Sequence, residues 1–260
     1  MLVHEHNSVR YYTFDSFEGE GVSHAVFTRH SGVSPSPWSS LNMGGTVGDD
    51  IARVAENKRR ALSSFGIRLE TVYDVWQVHG TNVVFCDSPR PPSMPPIQAD
   101  AIFTNRPGVT LLMRFADCVP ILLYEPNLHV IGIVHAGWKG TINKIASSAV
   151  NAMSVHYGVN PRDILAAIGP AIGPDHYLVG PEVSSAVRNS FGNSADAFIK
   201  ISDGRCNFDL WAANQWCLQQ SGIREIEMAN ICTACHLDDW FSHRGENGRT
   251  GRFGVIISLS

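Results

Sequence analysis

Three residues in this chain pair reactive side chains with a shared local setting. His79 ends the run Val75-Trp76-Gln77-Val78 and precedes Gly80. Cys118 follows Phe115-Ala116-Asp117. His135 ends Val130-Ile131-Gly132-Ile133-Val134 and precedes Ala136-Gly137. In each case an apolar run stops at a side chain able to ligate a metal, next to small residues. Two imidazoles and a thiolate suit Zn²⁺, with a fourth position open for water or substrate. A glycine beside a histidine lets a ligand approach the backbone closely. The same cysteine with either histidine also makes a nucleophile–base pair that needs no metal. A third reading is that the three side chains are satisfied separately in a core, since structural zinc ligands come in closely spaced pairs and these are scattered. The pattern alone leaves these readings open.

These residues converge only if the strands carrying them are neighbours in a sheet. Apolar runs at 22–28, 101–104, 109–115, 119–124, 130–135, 164–168, 225–229 and 253–259 read as strands. Runs at 72–78 and 82–86 flank His79-Gly80-Thr81 and read as a hairpin-like pair. Helices are expected at 50–65, with Asp49 or Asp50 as cap and Ile51, Val54, Ala55, Lys58, Leu62 and Phe65 on one face. Further helices are expected at 141–156, 182–191 and 210–221. Residues 89–96 are proline-rich and read as a surface loop. Neighbouring strands outnumber strict strand–helix–strand units. The expected fold is therefore α+β: one domain over 1–260 with mixed sheets and about four flanking helices.

The chain has 260 residues, 44% hydrophobic and 17% charged, with a net charge of −4. No basic block is present, which argues against nucleic acid or an anionic membrane as partner. No apolar run approaches the roughly 20 residues that span a bilayer. The start, MLVHEHNSVR, lacks a basic segment followed by an apolar one, so six reduced cysteines and a cytoplasmic location are expected.

The ordered motifs F-T-R-H-S-G-V-S (27–34), S-L-N-M-G (40–44), G-D-D (48–50), Q-V-H-G (77–80) and A-D-A (99–101) continue with A-D-C-V-P-I-L-L (116–123), H-A-G-W-K-G (135–140), A-I-G-P-A-I-G-P (167–174) and T-G-R (250–252). With these the chain resembles, over nearly its whole length, the YfiH-like or "laccase domain" family, also called multicopper polyphenol oxidoreductases and now viewed as purine nucleoside phosphorylases. The resemblance implies one metal site at His79, Cys118 and His135, occupied by zinc, with copper able to enter an N/S site in vitro. It implies phosphorolysis of adenosine, inosine, guanosine and methylthioadenosine, and deamination of adenosine, so that purine nucleosides and phosphate are the partners. Two departures stand out. Ala171, Asp175 and His176 occupy positions where family members often carry cysteines. The usual F-S-Y-R-R-D-G reads F-S-H-R-G-E-N-G at 241–248, with Gly245 in place of the second arginine.

Within the matched loops Arg29, Asn42 and Arg244 are the expected phosphate donors, with Lys139 and Arg59 weaker. Asp117 and Asp100 each suit either orienting a ligating histidine or capping a turn. Trp138 reads as packing, with base stacking as the alternative. Cys232-Thr233-Ala234-Cys235-His236 matches a haem-attachment pattern, but that chemistry belongs to exported proteins. A zinc-knuckle reading lacks a second ligand pair. Two other enzyme classes stay open. A copper-dependent polyphenol oxidase needs several copper centres, and the eleven histidines are scattered. A metal-free Cys-His hydrolase needs only Cys118 and a histidine. The oligomeric state is not encoded in any pattern found.

Overall fold

The structure is a computed structural model that describes residues 1–202 and 204–259. The chain opens with β1 (Leu2–His6), β2 (Val9–Thr13) and β3 (Val22–Phe27), and a long loop leads to α1 (Ile51–Ser63). Six strands follow: β4 (Val72–Asp74), β5 (Val83–Phe85), β6 (Ala101–Thr104), β7 (Thr110–Phe115), β8 (Val119–Glu125) and β9 (Val130–Ala136). Then come α2 (Trp138–Ile142), α3 (Ile145–Tyr157), β10 (Leu165–Ile168), β11 (Leu178–Val179) and α4 (Pro181–Phe191). The chain closes with β12 (Ile199–Ser202), β13 (Arg205–Phe208), α5 (Leu210–Gln220), β14 (Glu225–Met228) and β15 (Phe253–Leu259).

One sheet has the order β1-β2-β3-β15-β7-β4, a second β14-β10-β8-β9-β6-β5, and a small third β11-β13-β12. Most pairs are antiparallel, while β4–β7, β5–β6 and β10–β14 are parallel. The fold is α+β with mixed sheets, as expected. The two large sheets pack face to face: Leu111, Met113, Phe115, Val255 and Ile257 of the first meet Ile102, Leu122, Tyr124, Ile131 and Ile133 of the second. The far face of the second sheet, with Val119, Ile121, Leu123, Val130 and Val134, is covered by α3, α4 and α5. The far face of the first sheet, with Ala25, Phe27, Leu112 and Ile256, is covered by α1. Strands covered on both faces carry continuous apolar runs rather than alternation. That is why β7, β8, β9 and β15 were so visible in the sequence.

Local chemistry explains the ends. Asp50 caps α1 by accepting from Ala52 N at 2.8 Å. The buried face of α1 is Val54, Asn57, Ala61 and Leu62. Ile51, expected on that face, is instead 67% exposed and lines the cavity described below. The helix expected over 141–156 is divided. Asn143 Nδ2 bonds Lys139 O at 2.8 Å and Lys144 takes a left-handed φ of 57°, so α2 stops before α3 starts, and the described residues hold five helices where about four were expected. The hairpin expected around 79–81 does not form. β4 pairs with β7 in the first sheet and β5 with β6 in the second, so this segment crosses between sheets. The pairs β1–β2 and β11–β13–β12 went unread, because they are short, polar and at sheet edges. Among the described residues no helix is long and apolar enough to cross a membrane.

Candidate active site

The crossing between the sheets positions all three reactive side chains. The 75–82 segment passes from the first sheet to the second. Gln77 extends the pairing of β4 with β7: its Nε2 donates to Arg114 O at 2.7 Å and its Oε1 accepts from Arg114 N at 2.9 Å. Beyond it His79 takes a left-handed φ of 61° and remains exposed. The link from β7 to β8 makes the same crossing in three residues, through Asp117 with φ of 81°, and leaves Cys118 at its inner corner. His135 lies near the end of β9, paired in register with Pro120 of β8 and buried. The donor atoms of His79, Cys118 and His135 all lie within 4.8 Å of one another. The two imidazole rings are 4.9 Å apart, centroid to centroid, and nearly perpendicular.

Asp100 organises this cluster. It is fully buried, and Oδ1 bonds His135 Nδ1 at 2.8 Å. It also gathers the turn carrying His79, accepting from Val78 N at 3.3 Å, His79 N at 2.9 Å and Gly80 N at 2.7 Å. Burial raises its pKa, but His135 and these N–H groups more than offset that, and the carboxyl is held below the usual range. With Nδ1 committed to Asp100, His135 presents Nε2 to the cluster, the arrangement that orients a metal-ligating histidine. Asp117, the other candidate for this role, does not serve it. Its carboxylate accepts from Thr233 Oγ1 and Ser242 Oγ, both at 2.7 Å, and from Arg244 N at 2.6 Å. It fastens two distant loops to the Cys118 turn.

Electrostatics favour the thiolate. Burial opposes ionisation of Cys118, but His135 and His79 against it prevail and lower the pKa to about 6. Burial would lower the His135 pKa, but Cys118 and Asp100 raise it to about 9. Without a metal, both shifts favour a thiolate–imidazolium pair. The donor set also fits a metal. The three ligating atoms converge, Asp100 supports one imidazole from behind, and a Cβ added at Gly137 would come within 2.8 Å of His79 Cδ2 and 3.0 Å of Cys118 Sγ. Glycine is needed there to leave the cradle open.

The cluster lines a cavity of about 730 Å³, within the range for small-molecule sites. Trp76, Trp138 and Tyr177 supply aromatic wall; Lys58, Arg114, Arg244 and Arg252 supply cationic wall. Of the expected phosphate donors, only Arg244 reaches it. It donates to Leu178 O at 2.8 Å and lies 5.2 Å over the Tyr177 ring. Arg29 is elsewhere: it donates to Ser39 O, Leu237 O and Trp240 O, pairs with Glu246 at 3.0 Å and stacks over Phe241. Asn42 is fully buried and serves the loop. Its Oδ1 accepts from Gly44 N at 2.8 Å and from Arg252 N at 2.9 Å. It thereby holds Arg252, which sequence reasoning left out although T-G-R was among the matched motifs. Arg252 Nη1 bonds Thr250 O and Gly251 O, and its Nε and Nη2 have no partner among the described residues. Lys58 and Arg114 also went unread. Both face Asp74, as does Arg90, at 3.7, 3.0 and 2.5 Å, so three cations surround one carboxylate and the wall stays positive. Lys139 and Arg59 do not line the cavity.

Residues 23–260 match the family model described as multi-copper polyphenol oxidoreductase laccase. A purine nucleoside phosphorylase of Deinococcus radiodurans is 36% identical over 238 residues, covering 92% of this chain and 89% of that protein. The purine nucleoside phosphorylase YlmD of Geobacillus stearothermophilus is 36% identical over 248 residues, covering 91% and 90%. Among solved structures, the hypothetical protein YfiH of Bacillus licheniformis superposes with a TM-score of 0.89 at 33% identity, over 94% of both chains. YlmD from Geobacillus stearothermophilus gives 0.88 at 32%, over 96% of both. The chain belongs to the multi-copper polyphenol oxidoreductase laccase family, whose curated relatives here are named purine nucleoside phosphorylases.

Proposed function

We propose that this chain is a zinc-dependent purine nucleoside enzyme. It would cleave adenosine, inosine, guanosine and methylthioadenosine with phosphate to the base and the (methylthio)ribose 1-phosphate, and deaminate adenosine. The observation that carries the reading is the His79–Cys118–His135 cluster on a cavity of nucleoside size whose wall is both aromatic and cationic. His79, Cys118 and His135 would hold the ion, which when bound supplies a Lewis acid and lowers the pKa of water.

The chain's own residues account for the rest. Arg252 and Arg244, with Lys58 and Arg114 behind, offer charge-assisted donors for phosphate. Trp76 and Trp138 offer faces to a purine; Trp76 is 52% exposed, an apolar surface that a ligand would cover. Burial pushes the Tyr177 hydroxyl well above its usual pKa, so it remains a hydrogen-bond donor at neutral pH. Phosphorolysis passes through a cation-like sugar, and a held phosphate beside it is what these donors provide.

The thiolate–imidazolium pair favours one second reading, a metal-free Cys118 nucleophile with His135 as acid–base partner. Chelation separates the two: it abolishes zinc chemistry and leaves the cysteine enzyme active. The direct test is product analysis by mass spectrometry, with adenosine and phosphate, no added metal, and Cys118→Ala run in parallel. Adenine with ribose 1-phosphate, or inosine, formed by wild type and lost in the variant is the expected result. Absence of turnover, or equal turnover by the variant, refutes the proposal. Phenol oxidation without added copper would favour the oxidase instead.

A further inference from the structure

Cys232 and Cys235 have the spacing of half a zinc site. The fold supplies the other half from residues 171–177. Ala171 N bonds Ile231 O at 3.2 Å, Thr233 N bonds Ala171 O at 3.1 Å, and these residues form a parallel bridge, Ala171 with Cys232. That pairing lays Asp175 and His176 against the two sulfurs, and the donor atoms of all four residues lie within 4.8 Å of one another. His176 Nδ1 is 3.4 Å from Cys235 Sγ, 3.8 Å from Cys232 Sγ and 3.1 Å from Asp175 Oδ2. Cys235 Sγ is 3.8 Å from Asp175 Oδ2. Zinc bonds of about 2.0–2.3 Å in a tetrahedron place ligand atoms roughly 3.3–3.8 Å apart. These four separations stand close to that spacing, and the remaining two are within 4.8 Å.

We infer that Asp175, His176, Cys232 and Cys235 form a second metal site, a closed four-ligand site of the zinc class, separate from the His79–Cys118–His135 cluster. Two sulfurs, an imidazole and a carboxylate suit a borderline-soft ion over magnesium or calcium. Gly173 N donates to Cys232 Sγ at 3.1 Å, support that a thiolate ligand uses. Asp175, His176 and Cys235 are exposed, so an ion reaches them from solvent.

The place of the site in the fold gives it a structural role. Thr233, next to Cys232, is one of the residues fastened to Asp117, which adjoins Cys118. Tyr177, next to His176, lines the active-site cavity, and Arg244 donates to Leu178 O beyond it. An ion here clips together the two loops that carry Tyr177 and anchor the Cys118 turn.

The test is zinc content, by elemental mass spectrometry, of chains dialysed against metal-free buffer. Cys118→Ala removes a ligand of the first site, so the zinc it retains reports the second. Zinc retained in Cys118→Ala and lost in Cys118→Ala/Cys235→Ser is the expected result, with His176→Gln behaving as Cys235→Ser does. Cobalt loaded in place of zinc shows thiolate-to-metal absorption in Cys118→Ala and loses it in the double variant. Cys235 is exposed, so the serine is accommodated, and unchanged circular dichroism verifies the fold. No zinc in Cys118→Ala, equal zinc in both variants, or a Cys232–Cys235 disulfide found by alkylation without reductant overturns the inference.

Discussion

Asp100→Asn keeps the shape of a fully buried side chain and removes its charge and one of its acceptors. The carboxylate serves four donors: Oδ1 faces His135 Nδ1 and His79 N, and Oδ2 faces Gly80 N and Val78 N. An amide has a single oxygen, so its NH2 meets two donors whichever way it turns. If it faces the backbone pair, Gly80 N and Val78 N lose their acceptor and the turn presenting His79 loosens. If it faces His135, the imidazole must turn a lone pair to it, which moves the ring proton to Nε2, the atom aimed at the cluster. Two hydrogen bonds to a charged acceptor, at roughly 1.5–3 kcal/mol each, predict a loss of about 3–6 kcal/mol in folding stability. Disturbing a carboxylate that orients a ligating histidine typically weakens metal binding about 10–100-fold. Competition against a chromophoric chelator near neutral pH measures the second quantity, and urea unfolding of the metal-free protein the first. An Asp100→Asn protein that binds zinc as tightly as wild type and unfolds at the same urea concentration would refute the assigned role of Asp100.

Other perturbations have equally definite outcomes. His24 is buried beside Phe14 and Phe17, and its Nε2 accepts from Phe14 N at 2.7 Å; burial lowers its pKa from 6.5 to about 4. The unfolded chain therefore binds the proton first, so this group lowers stability as pH falls from 6.5 towards 4, by ~1.4 kcal/mol per pH unit, and His24→Gln removes that slope from a urea-unfolding series. Asn57→Leu deprives Val33 N, Ser34 Oγ, Ser40 O and Asn42 O of a buried partner, and at about 1 kcal/mol each the unfolding free energy drops by about 4 kcal/mol. Arg252→Met raises the KM for phosphate about 10–100-fold, as loss of a charge-assisted bond does, with less effect on that for nucleoside. Arg29→Met instead lowers thermal stability and leaves the phosphate KM unchanged; a phosphate effect as large as that of Arg252→Met would return Arg29 to the site.

The sequence by itself determined the reactive trio and the strands that end at it. His79, Cys118 and His135 were legible because each interrupts an apolar run, and β7, β8, β9 and β15 because burial on two faces leaves an unbroken apolar signature. Both signals are local. Which strand pairs with which is not: β4 and β5 look like a hairpin and belong to different sheets, since pairing depends on segments remote in the chain. The same nonlocality decided that Asp100 and not Asp117 supports a histidine. Asp100 adjoins His135 only because β6 pairs with β9. It decided that Arg29 and Asn42 serve the loops while Arg252, Lys58 and Arg114 face the cavity, and it placed Asp175 and His176 against Cys232 and Cys235. Residue chemistry and periodicity are written along the chain; the partner of a charge or a ligand is set by packing between segments far apart in it.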